Sequence, residues 1–331
     1  GCVHAADGYA RATGKPGVCI VTSGPGATNT ITGLAGAWLD ATPVIFISGQ
    51  AKREDLVNNQ QIRQFGIQEV NVVELVRSIT KYAVQIQKPE DILYELEKAT
   101  TIAKEGKPGP VWLDIPLDIQ ASFIDEENLP HFTEKMPSYE CKEHDALKTI
   151  ELLNKAERPL IILGHGIRLA GAIPEMEKFI HTVNVPVMTT WNGIDLIEDD
   201  NPLFFGRPGA VGQRHANFIQ QNADFVLTIG TRLNLLSTGY DFNSFLKKAT
   251  HVMVEIDAYE MKKRSVHPAL AIHADAKSFL QAMLSHADAI KNSNRAAWWD
   301  YCHAIKKKYP LFIKEQIPEG KGVNTYSLVN A

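Results

Sequence analysis

The residues best placed to do chemistry begin at Ser23-Gly24-Pro25-Gly26, with Asn29 one helical turn further on. The glycines allow backbone angles and close approaches that a side chain forbids. A phosphate cradle needs several free backbone N–H groups at a helix N-terminus, and Pro25 removes one of them. The spacing matches neither G-x-G-x-x-G nor the P-loop pattern G-x-x-x-x-G-K. Pro25 offers a rigid carbonyl and Asn29 an amide, a pair suited to a flat heterocycle with hydrogen-bonding edges. A tight turn packed for its own sake explains the same residues equally well. Gly49-Gln50 closes a second apolar run at 44–47. In the other half of the chain, Gly164-His165-Gly166 forms a glycine-rich turn that is a weak nucleotide signal, since many such turns carry glycine. Arg232, just after an apolar run, can clamp a phosphate bidentately or cap a helix. Asp257, at the end of another, can hold a ribose hydroxyl or simply open a turn.

The elements that must position these groups follow from the hydrophobic pattern. The run at 18–21 has the β-branched composition of a strand buried on both faces. A helical pattern follows at 28–39, with Ile31, Leu34, Ala35 and Trp38 on one face, and then the strand at 44–47. Strand, glycine turn, helix and strand make the βαβ unit of a parallel sheet. Ligands of such sheets sit beyond the carboxyl ends of the strands, where both Gly24-Pro25-Gly26 and Gly49-Gln50 fall. A polar loop is expected at 51–66, and a helix opening at Ile67-Gln68-Glu69 with Val72, Val73, Leu75 and Val76 on its buried side. A strand at 81–85, an amphipathic helix at 89–104 and a buried strand at 111–116 complete the first unit. The second unit repeats the alternation, with helices at 145–156, 172–183, 276–289 and 294–308. Its expected strands are 159–164, 185–189, 224–230 and 251–257. The expected fold class is therefore α/β, with two doubly wound parallel-sheet domains.

Composition narrows the function classes. The net charge of −4 gives no basic field for nucleic acid, and the triplet Lys306-Lys307-Lys308 reads as a solvated helix face. No apolar run approaches membrane-spanning length. The four cysteines lie far apart in sequence with no Cys-x-x-Cys pair, so no metal site is expected and a reduced, cytoplasmic chain is the simplest reading. His131, His165 and His215 are expected as surface or packing residues. The helix pattern at 3–12 has no N-cap before it, and 324–331 resembles a cap and first turn of a further element, so both ends read as cut.

Ala5-Ala6-Asp7-Gly8-Tyr9-Ala10-Arg11-Ala12-Thr13-Gly14, then Thr22-Ser23-Gly24-Pro25-Gly26-Ala27-Thr28-Asn29, then Gly49-Gln50, resemble in this order the pyrimidine-binding domain of thiamine-diphosphate-dependent enzymes. The branch they resemble is that of the acetolactate-synthase-like large subunits. The resemblance implies a pyrimidine-binding domain at 1–122, a linker at 123–143 and a central, FAD- or nucleotide-binding-like domain at 144–290. A helix and linker at 291–323 then lead to the start of a diphosphate-binding domain at 324–331. It implies decarboxylation of a 2-oxo acid and transfer of the acyl unit to a carbonyl acceptor, in a homodimer or homotetramer. Pro25, Asn29 and Gln50 would then surround the cofactor's pyrimidine, and Ile67 and Gln68 would lie at the substrate mouth. Gly164, Gly166, Arg232 and Asp257 would line the central-domain nucleotide or flavin site.

The family's catalytic Glu falls about two residues before Gly1, and its Mg²⁺ ligands fall after Ala331, so neither lies in this chain. The chain alone is therefore expected to be an inactive fragment. A non-catalytic truncated paralogue that pairs with a partner subunit is the alternative, whereas a NAD-dependent dehydrogenase fails on glycine spacing. Several positions depart from the acetolactate synthase pattern. Ile67 stands for a Phe, Lys107 for a flavin-contacting Arg, Leu117 for a Lys, and Asn234-Leu235 for an acidic pair. Lys cannot reproduce the planar fork of Arg. These departures weigh against FAD and strict acetolactate formation, and towards the acetolactate-synthase-like proteins of surface-polysaccharide gene clusters.

Overall fold

A computed structural model describes residues 1–58, 61–291, 293–311, 322–325 and 328. The chain divides into two compact units, Gly1–Pro137 and Ser138–Ala331. The first runs α1 (Cys2–Thr13), β1 (Gly17–Val21), α2 (Pro25–Thr28), α3 (Ile31–Leu39), β2 (Val44–Gln50), α4 (Val72–Val76), β3 (Tyr82–Gln85), α5 (Ile92–Lys104), β4 (Val111–Pro116) and α6 (Leu117–Gln120). Its four strands pair in the order β1-β2-β4-β3, all parallel. One face is packed by Val3, Ala6, Leu34, Ala37, Val72 and Val76 against Cys19, Phe46 and Trp112. The other is packed by Ala99 and Ala103 of α5 against Ile45, Val111 and Leu113. A parallel sheet needs both faces covered, and the apolar residues of the central strands supply both.

The second unit runs α7 (Glu143–Lys155), β5 (Pro159–Leu163), α8 (Gly166–Leu169), α9 (Ile173–Val183), β6 (Val187–Thr189), α10 (Arg214–Asn222), β7 (Phe225–Ile229), α11 (Leu235–Thr238), β8 (Thr250–Glu255), β9 (Leu270–His273), α12 (Ala276–Ser285) and α13 (Ala296–Lys308). Its five strands pair in the order β6-β5-β7-β8-β9, again all parallel. Helices α7, α9 and α12 cover one face through Ile150, Phe179 and Phe279. Helices α10 and α13 cover the other through Ile219 and Trp298. The order places β6 and β7 on opposite sides of β5, so the connections switch direction between β5 and β7.

Four sequence expectations are corrected. The strand at 18–21 is not buried on both faces: Gly17 and Cys19 are buried, while Val18 is 53% and Ile20 69% exposed. Alternate side chains leave opposite faces of a strand, and α5 packs chiefly on β4, β2 and β3 rather than on the edge strand β1. The helix expected at 28–39 starts later, as α3 at Ile31, and a separate short helix, α2, occupies the turn before it. Trp38 lies at the surface, 38% exposed, and Ala37 takes the buried place with Leu34 and Gly33. The helix expected to open at Ile67-Gln68-Glu69 begins instead after Asn71, whose side chain accepts from the Glu74 N–H. Glu69 is occupied in tying a loop and Gln68 has a left-handed φ of 56°, so neither continues into a helix. Strand β9 and helix α10 are additions: β9 has only four residues, and polar residues interrupt the apolar periodicity of α10. Of the expected linker at 309–323 and the further element at 324–331, only residues 309–311, 322–325 and 328 are described.

Candidate functional site

At the carboxyl end of the first sheet, β1 breaks at Thr22 and re-enters a helix at Pro25. Gly24 makes the break, with φ 59° and ψ −123°, a region closed to side-chain-bearing residues. A Cβ on Gly24 would lie 2.6 Å from the Gln68 carbonyl oxygen. The turn therefore touches the backbone of the loop at 66–70. Pro25 occupies the first position of α2, where its missing N–H costs nothing. Pro25 and Asn29 are exposed on that short helix. Ile67, 87% exposed, stands beside Gln68. The loop is held by Glu69, whose carboxylate accepts from the Val57 N–H at 2.6 Å and from the Phe65 and Gly66 N–H groups at 3.0 Å each. Partial burial raises the Glu69 pKa, but these three donors outweigh it and hold the carboxyl below its ordinary value.

Gln50, the last residue of β2, is buried beneath this surface. Its amide nitrogen donates to the Val70 carbonyl at 2.8 Å and to Asp114 at 3.1 Å, and its side-chain oxygen accepts from the Ala51 N–H at 3.0 Å. Asp114 lies on β4 between β2 and β3 and is fully buried. It also accepts from Ser48 Oγ at 2.5 Å and from Gln85 Nε2 at 3.0 Å. Ser48 in turn accepts from the Trp112 indole N–H at 2.9 Å. Burial pushes the Asp114 carboxyl up from its ordinary value, against the opposing pull of its three donors. The network fixes the end of β2, and with it the direction of Gln50. Thus Pro25, Asn29, Gln50, Ile67 and Gln68 converge on one pole, with Pro25, Asn29 and Ile67 at the surface and Gln50 beneath.

The second sheet has its own pole, at the switch between β5 and β7, the usual ligand crevice of such a sheet. Gly164 and Gly166 are there, but each faces backbone. A Cβ on Gly164 would lie 2.1 Å from the Gly230 carbonyl oxygen, and one on Gly166 2.7 Å from the Gly230 Cα. The Gly166 N–H donates to that same carbonyl at 3.0 Å. The two strand ends thus cross at van der Waals contact, which is reason enough for both glycines. Arg232 has a left-handed φ of 57° and donates through Nε to Glu260 at 3.2 Å, and its backbone N–H donates to Glu255 at 3.1 Å. Lys263 bridges Glu260, at 2.8 Å, and the Arg232 carbonyl. Asp257 accepts from the Tyr259 N–H at 3.0 Å and so closes a turn. Of the histidines expected as surface or packing residues, His131 lies at the surface and pairs with Glu97 at 2.9 Å, and the Nδ1 of buried His215 contacts the Tyr309 carbonyl at 2.9 Å.

Residues 1–75 match the family model described as the thiamine pyrophosphate enzyme N-terminal TPP binding domain, and 147–283 match that of the central domain of the same enzymes. The chain belongs to the thiamine pyrophosphate enzyme family. Over 92% of its length it is 37% identical to a probable acetolactate synthase large subunit of Methanocaldococcus jannaschii, covering 51% of that protein. It is 36% identical, over 93% of its length, to the isozyme 2 large subunit of acetolactate synthase from Escherichia coli, covering 54% of it. The probable chloroplastic acetolactate synthase 2 of Oryza sativa is 37% identical over 96% of the chain, which covers 48% of that relative. The chain therefore spans about half the length of the curated relatives it matches.

Within this thiamine pyrophosphate enzyme fold, two features escape sequence reading. The Asp114 network is one, and its signal was a lone carboxylate in the apolar strand Val111–Pro116. Ser48 and Gln50, two apart and hence on one face of β2, point to the same place. The Glu69 clamp is the other, and it left no signal because its three partners come from loop backbone. Among the described residues no cluster of three or more His, Cys, Asp or Glu is arranged to hold a metal ion. None of the helices among them is long and apolar enough to cross a membrane.

Proposed function

We propose that this chain supplies the pyrimidine-binding half of the thiamine diphosphate site of an acetolactate-synthase-like carboligase. The close approach of Gly24 to Gln68 carries the reading. It joins the Gly24-Pro25-Gly26 turn to the loop bearing Ile67, beside an exposed Asn29 amide. The surface this makes fits one face of an aminopyrimidine: a rigid Pro25, an apolar Ile67 and an amide edge on Asn29. Asn29 would hydrogen-bond the ring and Pro25 would pack against it. Gln50, locked by Asp114, would fix the strand end beneath them. When bound, the cofactor would stabilise the carbanion left by decarboxylation of a 2-oxo acid. Ile67 and Gln68, at the rim, would then shield that centre from water and shape the space for the acceptor carbonyl.

The Mg²⁺ ligands and the catalytic Glu belong, on this reading, to parts of the protein outside residues 1–331. The complete protein would work in the cytoplasm as a homodimer or homotetramer, and this chain alone would not turn over. Pairing of Arg232 with Glu260, and the use of Gly164 and Gly166 in the crossing at Gly230, support a central domain without a flavin. The test is titration of thiamine diphosphate into the complete protein that contains this chain, native and Asn29→Ala. One lost amide hydrogen bond should raise the dissociation constant roughly tenfold, with the fold unchanged. A native complete protein that binds no thiamine diphosphate overturns the proposal.

A further inference from the structure

The packing of α1 on β1 brings two thiols together, and the proposed carboligase chemistry uses neither. A Cβ on Gly17 would lie 2.1 Å from the Ala6 carbonyl oxygen, so the bare Cα of Gly17 lets α1 rest directly on β1. Cys2 precedes Ala6 by one helical turn, about 6 Å along the axis. Cys19 follows Gly17 by two strand residues, about 6.6 Å, on the same face. The two steps match, and they face the thiols towards each other. The Cys19 S–H donates to Cys2 Sγ at 3.4 Å. Cys2 is exposed, while Cys19 is buried in the core beneath α1. The other two cysteines, Cys141 and Cys302, lie in the second unit.

We propose that Cys2 and Cys19 are an oxidative modification site, closed to an intrachain disulfide by hydrogen peroxide. The exposed Cys2 reacts first. Its thiolate attacks one peroxide oxygen, the O–O bond breaks, and the hydroxide released takes up a proton to leave as water. Cys2 is left as a sulfenic acid. Cys19 sulfur then attacks Cys2 sulfur, the S–O bond breaks, and hydroxide leaves with the Cys19 proton as a second water. Two thiols are oxidised, one peroxide is reduced, and the sulfurs close by about 1.4 Å to the ~2.05 Å of a disulfide. Burial pushes the Cys19 thiol up to about 12, which keeps it protonated at neutral pH and leaves the first attack to Cys2. The bond would tie the first turn of α1 to the middle of β1.

The experiment treats the reduced chain with a small excess of hydrogen peroxide, unfolds it under an alkylating agent and weighs it intact and after digestion. The expected product has lost two of its four alkylatable thiols and two hydrogens, and yields one cross-linked peptide containing Cys2 and Cys19. Dithiothreitol should restore all four thiols. In Cys2→Ser, Cys19 should stay alkylatable after the same treatment. In Cys19→Ser, Cys2 should accumulate as a sulfenic acid that dimedone traps. Circular dichroism confirms that each variant is folded. Three results overturn the proposal: Cys2 carrying extra oxygen while Cys19 remains free in the native chain, a disulfide that joins other cysteines, or four thiols left untouched.

Discussion

Replacing Gly24 by Ala tests the contact on which the proposed site rests. Two costs add at this residue. The backbone there has φ 59° and ψ −123°, which an alanine resists by about 1–3 kcal/mol. The new Cβ would also lie 2.6 Å from the Gln68 carbonyl oxygen, a backbone atom that cannot swing away as a flexible side chain would. Moving it costs roughly 1–3 kcal/mol more. A total of about 2–6 kcal/mol is a large share of the ~5–15 kcal/mol that holds a domain together. Gly36 is the internal control. It lies within α3, is exposed, and a Cβ there would meet nothing within 4 Å. Gly36→Ala should therefore stabilise by about 0.5–1 kcal/mol, through lower entropy of the unfolded chain. The assay is urea unfolding of each variant, with hydrogen exchange followed in peptides covering 66–70. Gly24→Ala should speed exchange in that loop, and Gly36→Ala should leave it unchanged. Equal stabilities for the two variants, or unaltered exchange at 66–70 in Gly24→Ala, would refute the account of the turn.

Two further outcomes follow from buried polar groups. Asp114→Ala removes the shared acceptor of buried Ser48 and Gln50 and of half-buried Gln85 and should cost about 2–4 kcal/mol in urea unfolding, more than Ser48→Ala. A loss below about 1 kcal/mol would mean that water or repacking replaces the carboxylate. His251 lies buried in β8 with Nε2 3.0 Å from Thr228 Oγ1, and burial lowers its pKa from 6.5 to about 4. Its folded pKa is depressed, so the unfolded chain binds the extra proton first, and stability is lost as pH falls from about 6.5 towards 4, by up to roughly 3 kcal/mol. His251→Gln should flatten unfolding midpoints across that window, and an unchanged slope would place the pH dependence elsewhere.

The fold was legible because it rests on local composition. Apolar runs at 44–47, 111–116, 159–164 and 224–230 became strands of parallel sheets, since a strand covered on both faces needs apolar residues at nearly every position. The pole of the first sheet was legible for a related reason. Glycine at position 24 reports a backbone angle, and a backbone angle is a local property. Where the reading erred, at Val18, Ile20 and Trp38, the error concerned which neighbour covers a face, and apolar side chains look alike whether or not a helix reaches them.

Sequence alone determined the α/β class, the family and the pole where Gly24, Pro25 and Asn29 gather, because a turn written by glycine and proline and a strand written by apolar residues are local choices. Only the tertiary structure decided what the polar residues do. Asp114 meets Ser48 across 66 residues and Gln85 across 29, and Gly164 meets Gly230 from another strand. Arg232, whose sequence position suits either a phosphate clamp or a helix cap, turns to Glu260. Their partners are set by which strands pair and in what parallel register, between segments far apart in the chain.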